Sequence, residues 1–290
     1  MSNPPQVLLG TKLPDVDAWS PRVTVALGQN PSLFTGPGTN TYLVGTGRDR
    51  ILLDTGQGIP AYLPVLAQAL ERAGCGIQEI VLTHGHFDHI GGAAAVIGEY
   101  GPLRVSKRPH AGFDKPWPLE ITPIGDGDVV RTEGATLRAI HTPGHAEDHL
   151  CYALEEENAL FSGDNVLGVG TTVIPSEGGD LLDYMNSLER LRAEQPTTIY
   201  PAHGPVIRDG RAKIREYIDH RNKREQEILA ALEAGLGLIP DIVARVYAAY
   251  PVALHAPAKS SVCSHLLKLE REGRVRRTGD APLDAHWSRV

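Results

Sequence analysis

Cysteine is scarce in this sequence of 290 residues, and Cys75, Cys151 and Cys263 are odd in number and far apart. That spacing excludes a disulfide framework and points to a reducing compartment. No apolar run approaches the roughly 18 residues that a membrane-spanning helix needs. The opening Met1-Ser2-Asn3-Pro4-Pro5 lacks the basic-then-apolar order of a secretory leader. The expectation is therefore a cytoplasmic protein with no membrane association, or one of the mitochondrial matrix if the source is eukaryotic. Aromatic residues are few, at 6%, and Lys plus Arg number 28 against 35 Asp plus Glu, for a net charge of −7. That balance gives only a weak signal for a chain whose main surface grips nucleic acid.

What the chain has is enough apolar sequence, 41%, to bury a large core without staples. Its charge is uneven. Residues 1–203 carry 13 basic against 24 acidic residues, whereas residues 204–290 carry 15 against 11. Short strands are predicted at Thr41–Val44, Arg50–Leu53, Ile80–Leu82, Thr136–Ile140, Leu150–Leu154, Ala159–Phe161 and Thr198–Tyr200. Helical periodicity marks Ala61–Arg72, Leu181–Arg192 and Asp209–Glu233, and the basic residues of the last of these read as a solvated face. Hairpins are expected at Val44-Gly45-Thr46-Gly47 and at Glu155-Glu156-Glu157-Asn158. Strand pairs followed by helices in both halves fit an α/β sandwich with helices outside two sheets. After Gly235 the pattern changes: Pro240–Tyr250 and Ala258–Glu272 read as helices, and Gly273–Arg277 as the first strand of a wing. The expected organisation is a catalytic domain over 1–235 and a winged-helix-like module over 236–290.

The informative segment is Thr83-His84-Gly85-His86-Phe87-Asp88-His89-Ile90-Gly91-Gly92. Three imidazoles and a carboxylate at a strand end can diverge toward two centres, His84 and His86 toward one and Asp88 and His89 toward the other. Imidazole with carboxylate suits Zn²⁺, and also Fe or Mn. Three downstream turns each follow a predicted strand and each offers one more ligand: Thr142-Pro143-Gly144-His145, Ser162-Gly163-Asp164-Asn165 and Pro201-Ala202-His203-Gly204. Ligands gathered at strand ends are where open α/β folds bind their substrates. The set is then five histidines and two aspartates for two ions. Isolated histidines such as His110, His220 and His286 read as ordinary residues. His141 and His149 are open between supporting and merely exposed roles.

These motifs resemble, in their order, those of the metallo-β-lactamase superfamily, including its HxHxDH signature and a Leu53-Asp54-Thr55-Gly56 segment. The resemblance covers about residues 20–230 and implies an αββα sandwich with a two-metal site at one edge. By motif, it places His84, His86 and His145 on a first metal and Asp88, His89 and His203 on a second. Asp164 bridges both, and Asp54 supports the loop. Within the superfamily the chain is most similar to the β-lactamase-like protein 2 group, through Gly38–Gly47, Thr132–Leu137, Phe161–Gly168 and Asp183–Leu188. Animal members of that group are single-strand-selective endoribonucleases and related fungal members are carrier-protein thioesterases; the group also carries a C-terminal winged helix. Asn165 stands where some animal members have Cys.

The resemblance implies a di-zinc hydrolase in which a metal-bridging hydroxide attacks its substrate and Asp88, as a catalytic residue, steers the water's proton. Two ions supply such a nucleophile without any Ser or Cys. The main expectation is cleavage of single-stranded RNA. The alternative is thioester or ester hydrolysis, of the glyoxalase II or carrier-protein type. β-Lactamase activity fits less well, because Asp164 and the last histidine of the signature are both kept. A nucleic-acid-binding protein with a structural zinc also fits less well, since structural zinc favours Cys and none joins the cluster. Substrate choice falls to a rim formed by Gly168–Thr172, by residues 175–184 with Tyr184, and by the positive C-terminal lobe. A homodimer is a further candidate arrangement.

Overall fold

The computed structural model describes residues 10–249 and 255–290; Met1–Pro5 and Tyr250 lie outside the described residues. Seven strands form the first sheet: β1 (Val16–Ser20), β2 (Val23–Leu27), β3 (Asn40–Val44), β4 (Asp49–Leu53), β5 (Gly76–Val81), β6 (Val105–Lys107) and β7 (Ile121–Pro123), side by side in chain order. The first four pair antiparallel and β4 to β7 pair parallel. A second sheet holds β8 (Val129–Thr132), β9 (Ala135–His141), β10 (Leu150–Leu154), β11 (Ala159–Gly163) and β12 (Thr198–Pro201), antiparallel except for the parallel β11–β12 pair. Both expected hairpins form. The second turns through a short 3₁₀ segment, with Asn158 in the left-handed region at φ 47°.

The period of two along the strands explains the layers. Val25, Tyr42, Ile51, Leu53 and Val81 face Leu137, Ala139, Tyr152, Phe161 and Tyr200 across the gap between the sheets. Their neighbours Ala26, Leu43, Leu52 and Ile80 face outward, onto α1 (Tyr62–Ala73) and α3 (Ala93–Tyr100). A one-turn helix, α2 (Phe87–Ile90), precedes α3, and α4 (Ala111–Asp114) follows it. On the far side Ile140, Cys151, Leu160 and Ile199 pack against α5 (Leu181–Glu194) and α6 (Gly210–Glu233). Helix, sheet, sheet, helix is the αββα order that the motifs imply. Cys151 and Cys263 are buried and all three thiols are free.

The C-terminal module contains α7 (Ile239–Val246), α8 (His255–Arg271) and the wing strands β13 (Val275–Thr278) and β14 (His286–Arg289). Its core joins Ile242, Val262, Leu266, Leu269 and Trp287 to Ile228, Leu229 and Leu232 of α6. The first half of α6 meanwhile buries Ile214, Tyr217 and Ile218 in the sandwich. One helix thus serves two cores. Its face is not wholly solvated as expected, because Arg221 and Arg224 are 5% and 7% exposed. Long stems let guanidinium groups sit on aromatic rings, here Tyr184 and Tyr247. Among the described residues no helix is long and apolar enough to cross a membrane.

Candidate metal centre

All seven anticipated side chains meet at one edge of the sandwich. His84 and His86 lie on the loop after β5, and Asp88 and His89 lie within α2. His145 lies in the β9–β10 turn, Asp164 directly follows β11, and His203 follows β12. The Thr-Pro-Gly-His turn is held by α5. Ser187 donates to Pro143 O at 2.8 Å, and the Asp180 amide donates to Gly144 O at 2.8 Å. Gly144 has φ 127°, and a Cβ there would lie 2.4 Å from the Tyr184 backbone, so only glycine fits. Gly163 has φ 49° and meets the His149 ring in the same way, at 2.5 Å.

The donors fall into two trios joined by a carboxylate. Donor atoms of His84, His86 and His145 lie within 4.8 Å of one another, as do those of Asp88, His89 and His203. His86 Nδ1 and His145 Nε2 converge to 3.0 Å. On the other side Asp88 Oδ2 is 3.4 Å from His203 Nε2 and 3.7 Å from His89 Nε2. Asp164 turns Oδ2 toward His145 Nε2 at 3.3 Å. Its Oδ1 lies 3.1 Å from His203 Nε2 and 3.5 Å from His89 Nε2. One oxygen thus faces each trio.

Three of the five rings are aimed by a partner on the other nitrogen, which also sets the tautomer. His89 Nδ1 donates to Asp54 Oδ2 at 2.8 Å. The same carboxylate accepts from the Thr83 amide at 2.8 Å and from Thr83 Oγ1 at 2.9 Å. Asp54 adopts φ 58°, a left-handed conformation that costs about 1–3 kcal/mol outside glycine and that functional sites commonly hold. His84 Nδ1 lies 3.0 Å from Thr83 Oγ1, and His145 Nδ1 donates to Val173 O at 2.9 Å.

Burial sorts the protonation states. Desolvation, reinforced by neighbouring imidazoles, holds His84 well below its ordinary pKa. Desolvation and His145 bring His86 to about 4. Burial also pulls His89 and His203 down, but the carboxylates Asp88 and Asp164 outweigh it, and His203 rises to about 9. Burial opposes ionisation of Asp88 and Asp164, yet the adjacent imidazoles hold both below the usual carboxylate range. His84 Nε2, His89 Nε2 and Asp164 Oδ1 are buried without a hydrogen-bond partner. Orphaned nitrogen and oxygen donors around a shared centre are what divalent cations satisfy. The residues present fit the group.

Three features differ from the sequence reading or go beyond it. His149 is buried and its Nε2 accepts from the Asp164 amide at 3.1 Å, while His141 stays on the surface. Tyr184 is not a rim residue: it is buried, and its hydroxyl donates to Asn165 O at 2.7 Å. Asn165 in turn donates to Thr142 O at 3.0 Å. The carbonyl of Val173 went unforeseen because backbone acceptors leave no residue-type signal.

Comparison with known proteins agrees with this architecture. Residues 34–203 match the metallo-beta-lactamase superfamily, and residues 239–287 match the beta-lactamase associated winged helix domain. Lactamase-like protein adaB of Aspergillus niger is 40% identical over 293 residues, covering 96% of this chain and 89% of that protein. An atrochrysone carboxyl ACP thioesterase of Aspergillus chevalieri is 41% identical over 275 residues, covering 91% and 85%. Among solved structures, a beta-lactamase domain protein from Burkholderia ambifaria superposes with a TM-score of 0.81 at 20% identity, over 97% of this chain and 96% of that one. A metallo-beta-lactamase family protein from Thermus thermophilus gives 0.76 at 24% identity, over 94% and 100%. At these identities the structures bear on the fold alone.

Proposed function

Because this chain belongs to the metallo-β-lactamase superfamily and is an enzyme of that fold, we propose that it is a metal-dependent thioesterase acting on an apolar acyl group. The observation that carries the hydrolytic reading is Asp164, with one carboxylate oxygen toward each trio of donors. Relatives of 41–44% identity named as atrochrysone carboxyl ACP thioesterases support a thioester over single-stranded RNA. The rim supports it as well. Phe87 and Val173, beside the donors, are 58% and 42% exposed. Leu33 and Phe34, 47% and 61% exposed, tip a loop whose base at Thr39 pairs with His203. Exposed apolar side chains around a polar centre suit an apolar substrate.

His84, His86 and His145 would hold one cation, Asp88, His89 and His203 a second, and Asp164 both. Zn²⁺ suits this donor set, as do Fe and Mn. Such cations, when bound, acidify water and polarise a carbonyl oxygen. The chain's own part is to orient and to move protons. Asp54 and Val173 O fix which nitrogen of His89 and His145 faces the site. The Asp88 carboxylate accepts a proton from the attacking water and returns one to the departing sulfur. Water adds to the carbonyl carbon, the C–S bond breaks, and acid and thiol are released.

Thiol release from aromatic and short-chain acyl-pantetheine thioesters, beside cleavage of unstructured RNA, tests this in wild type and Asp164→Ala. Wild type should release thiol, with the aromatic acyl group preferred, and the variant should be slower by more than about 100-fold, the upper range for disturbing a ligand's support alone. RNA cleavage that dies with Asp164 while thioesters stay intact would reverse the assignment.

A further inference from the structure

The segment Thr172–Ser176 has an odd position: it supplies the acceptor for His145, yet Val173 within it is 42% exposed. Thr172 and Ile174 on either side of it are buried, and their carbonyls are held by side chains of two helices. Arg221 of α6 donates to Thr172 O at 2.6 Å. Ser264 Oγ of α8 lies 2.9 Å from Ile174 O, sharing its one proton with Ser260 O at the same distance. Ser260 Oγ also accepts from the Ser176 amide at 3.1 Å. The carbonyls on both sides of Val173 are therefore tied to helices of the second core.

Arg221 also reaches the opposite wall of the same ring. Its guanidinium lies 5.4 Å from the centre of the Tyr184 ring, and the Tyr184 backbone backs Gly144, the residue before His145. Among the described residues no carboxylate pairs with Arg221, although it is only 5% exposed. A buried guanidinium whose acceptors are a carbonyl and a ring is expensive to keep. Its retention is explained if it fixes geometry that the site requires.

We propose that Arg221 and Ser264 are positioning residues for His145, holding the Val173 carbonyl where it keeps the Nδ1 proton and leaves Nε2 for the cation. The C-terminal module is on this account part of the active-site scaffold rather than an attached nucleic-acid reader. The proposal rests on His145 serving as a ligand of the first cation, and it makes the two ion sites unequal in their dependence on α6 and α8. Arg221→Met keeps the apolar stem and loses the donor, Arg221→Lys keeps a donor, and Ser264→Ala removes one hydroxyl.

Zn²⁺ titration of the full chain against a chromophoric chelator reads the two binding events separately. Wild type should bind two ions. Arg221→Met should weaken one event by about 10–100-fold, the range for disturbing a ligand's support, and leave the other within a factor of two. Arg221→Lys should recover part of the loss, and Ser264→Ala should weaken the same event. Imidazole ¹⁵N spectra of the metal-free protein give a readout independent of ions: His145 should be the Nδ1–H tautomer in wild type and averaged in Arg221→Met. Equal weakening of both events with a lower Tm, or an unchanged His145 spectrum, would overturn the clamp. A wild type that binds no ion but shows the tautomer change would instead sink the metal reading.

Discussion

His265 is 1% exposed and neither ring nitrogen has a hydrogen-bond partner. Burial, then Arg221 and Arg224 of α6, Lys268 of its own helix and His220, hold its pKa well below the ordinary value. In the unfolded chain it titrates near 6.5. Below that pH the unfolded state takes a proton that the folded state refuses, so its contribution to stability is full above about pH 6.5 and is lost as pH falls toward the depressed folded value. Urea midpoints between pH 7.5 and 5 should fall less steeply in His265→Leu, by up to one proton, or roughly 1.4 kcal/mol per pH unit. An unaltered slope would show that the ring is hydrated. The same residue marks the limit of reading histidines by sequence. The seven donors stand out because glycine-rich turns space them after strands, whereas His265 and His149 sit inside ordinary helical or strand-leading text. Only packing separates those two from a surface histidine such as His141.

At the scale of elements, α5 shows how much one cap can join. Asp180 Oδ1 accepts from the Asp183 amide at 2.9 Å, its other oxygen meets Arg271 of α8, and its own amide holds Gly144 O. Asp180→Ala should cost about 1 kcal/mol for the lost cap, or roughly 2–3 °C in Tm. Asp180→Asn keeps the cap acceptor and should lose markedly less, because an exposed ion pair contributes little. Equal losses in a thermal scan would place the energy in the Arg271 pair instead. Helices α1 and α5 were legible because their buried residues recur at helical spacing. The beginning of β5 was not, since Gln78-Glu79 reads as polar. Glu79 is nevertheless buried, paired with Arg104 at 2.6 Å and accepting from Ser106 Oγ at 3.0 Å. Strand β6 hid for the same reason: it ends on a fully buried Lys107, which is paired with Asp148 and Asp114. A charge satisfied inside the fold looks in sequence like a charge in water.

For the whole molecule, the placement of α6 decides what can be removed. The matched families cover residues 34–203 and 239–287, and the helix lies between them while feeding both cores. A chain ending at residue 235 keeps Ile228, Leu229 and Leu232 but strips away Leu266, Leu269 and Trp287, against which they pack. Such a protein should aggregate or melt well below the full chain in light-scattering and thermal scans, and should lose its hydrolytic activity with it. A truncated form of full stability would refute the shared core. The sequence carried the layer order and the convergence of the seven donors at one edge, because both are written in short local motifs. The union of the modules was not legible, since Ile228–Leu232 gives no sign of which partner it meets. A rod embedded in two interiors also leaves no joint at which the wing can swing. Breathing of the tail would therefore be felt at the edge where the seven donors gather as loosened aim rather than as an opened door.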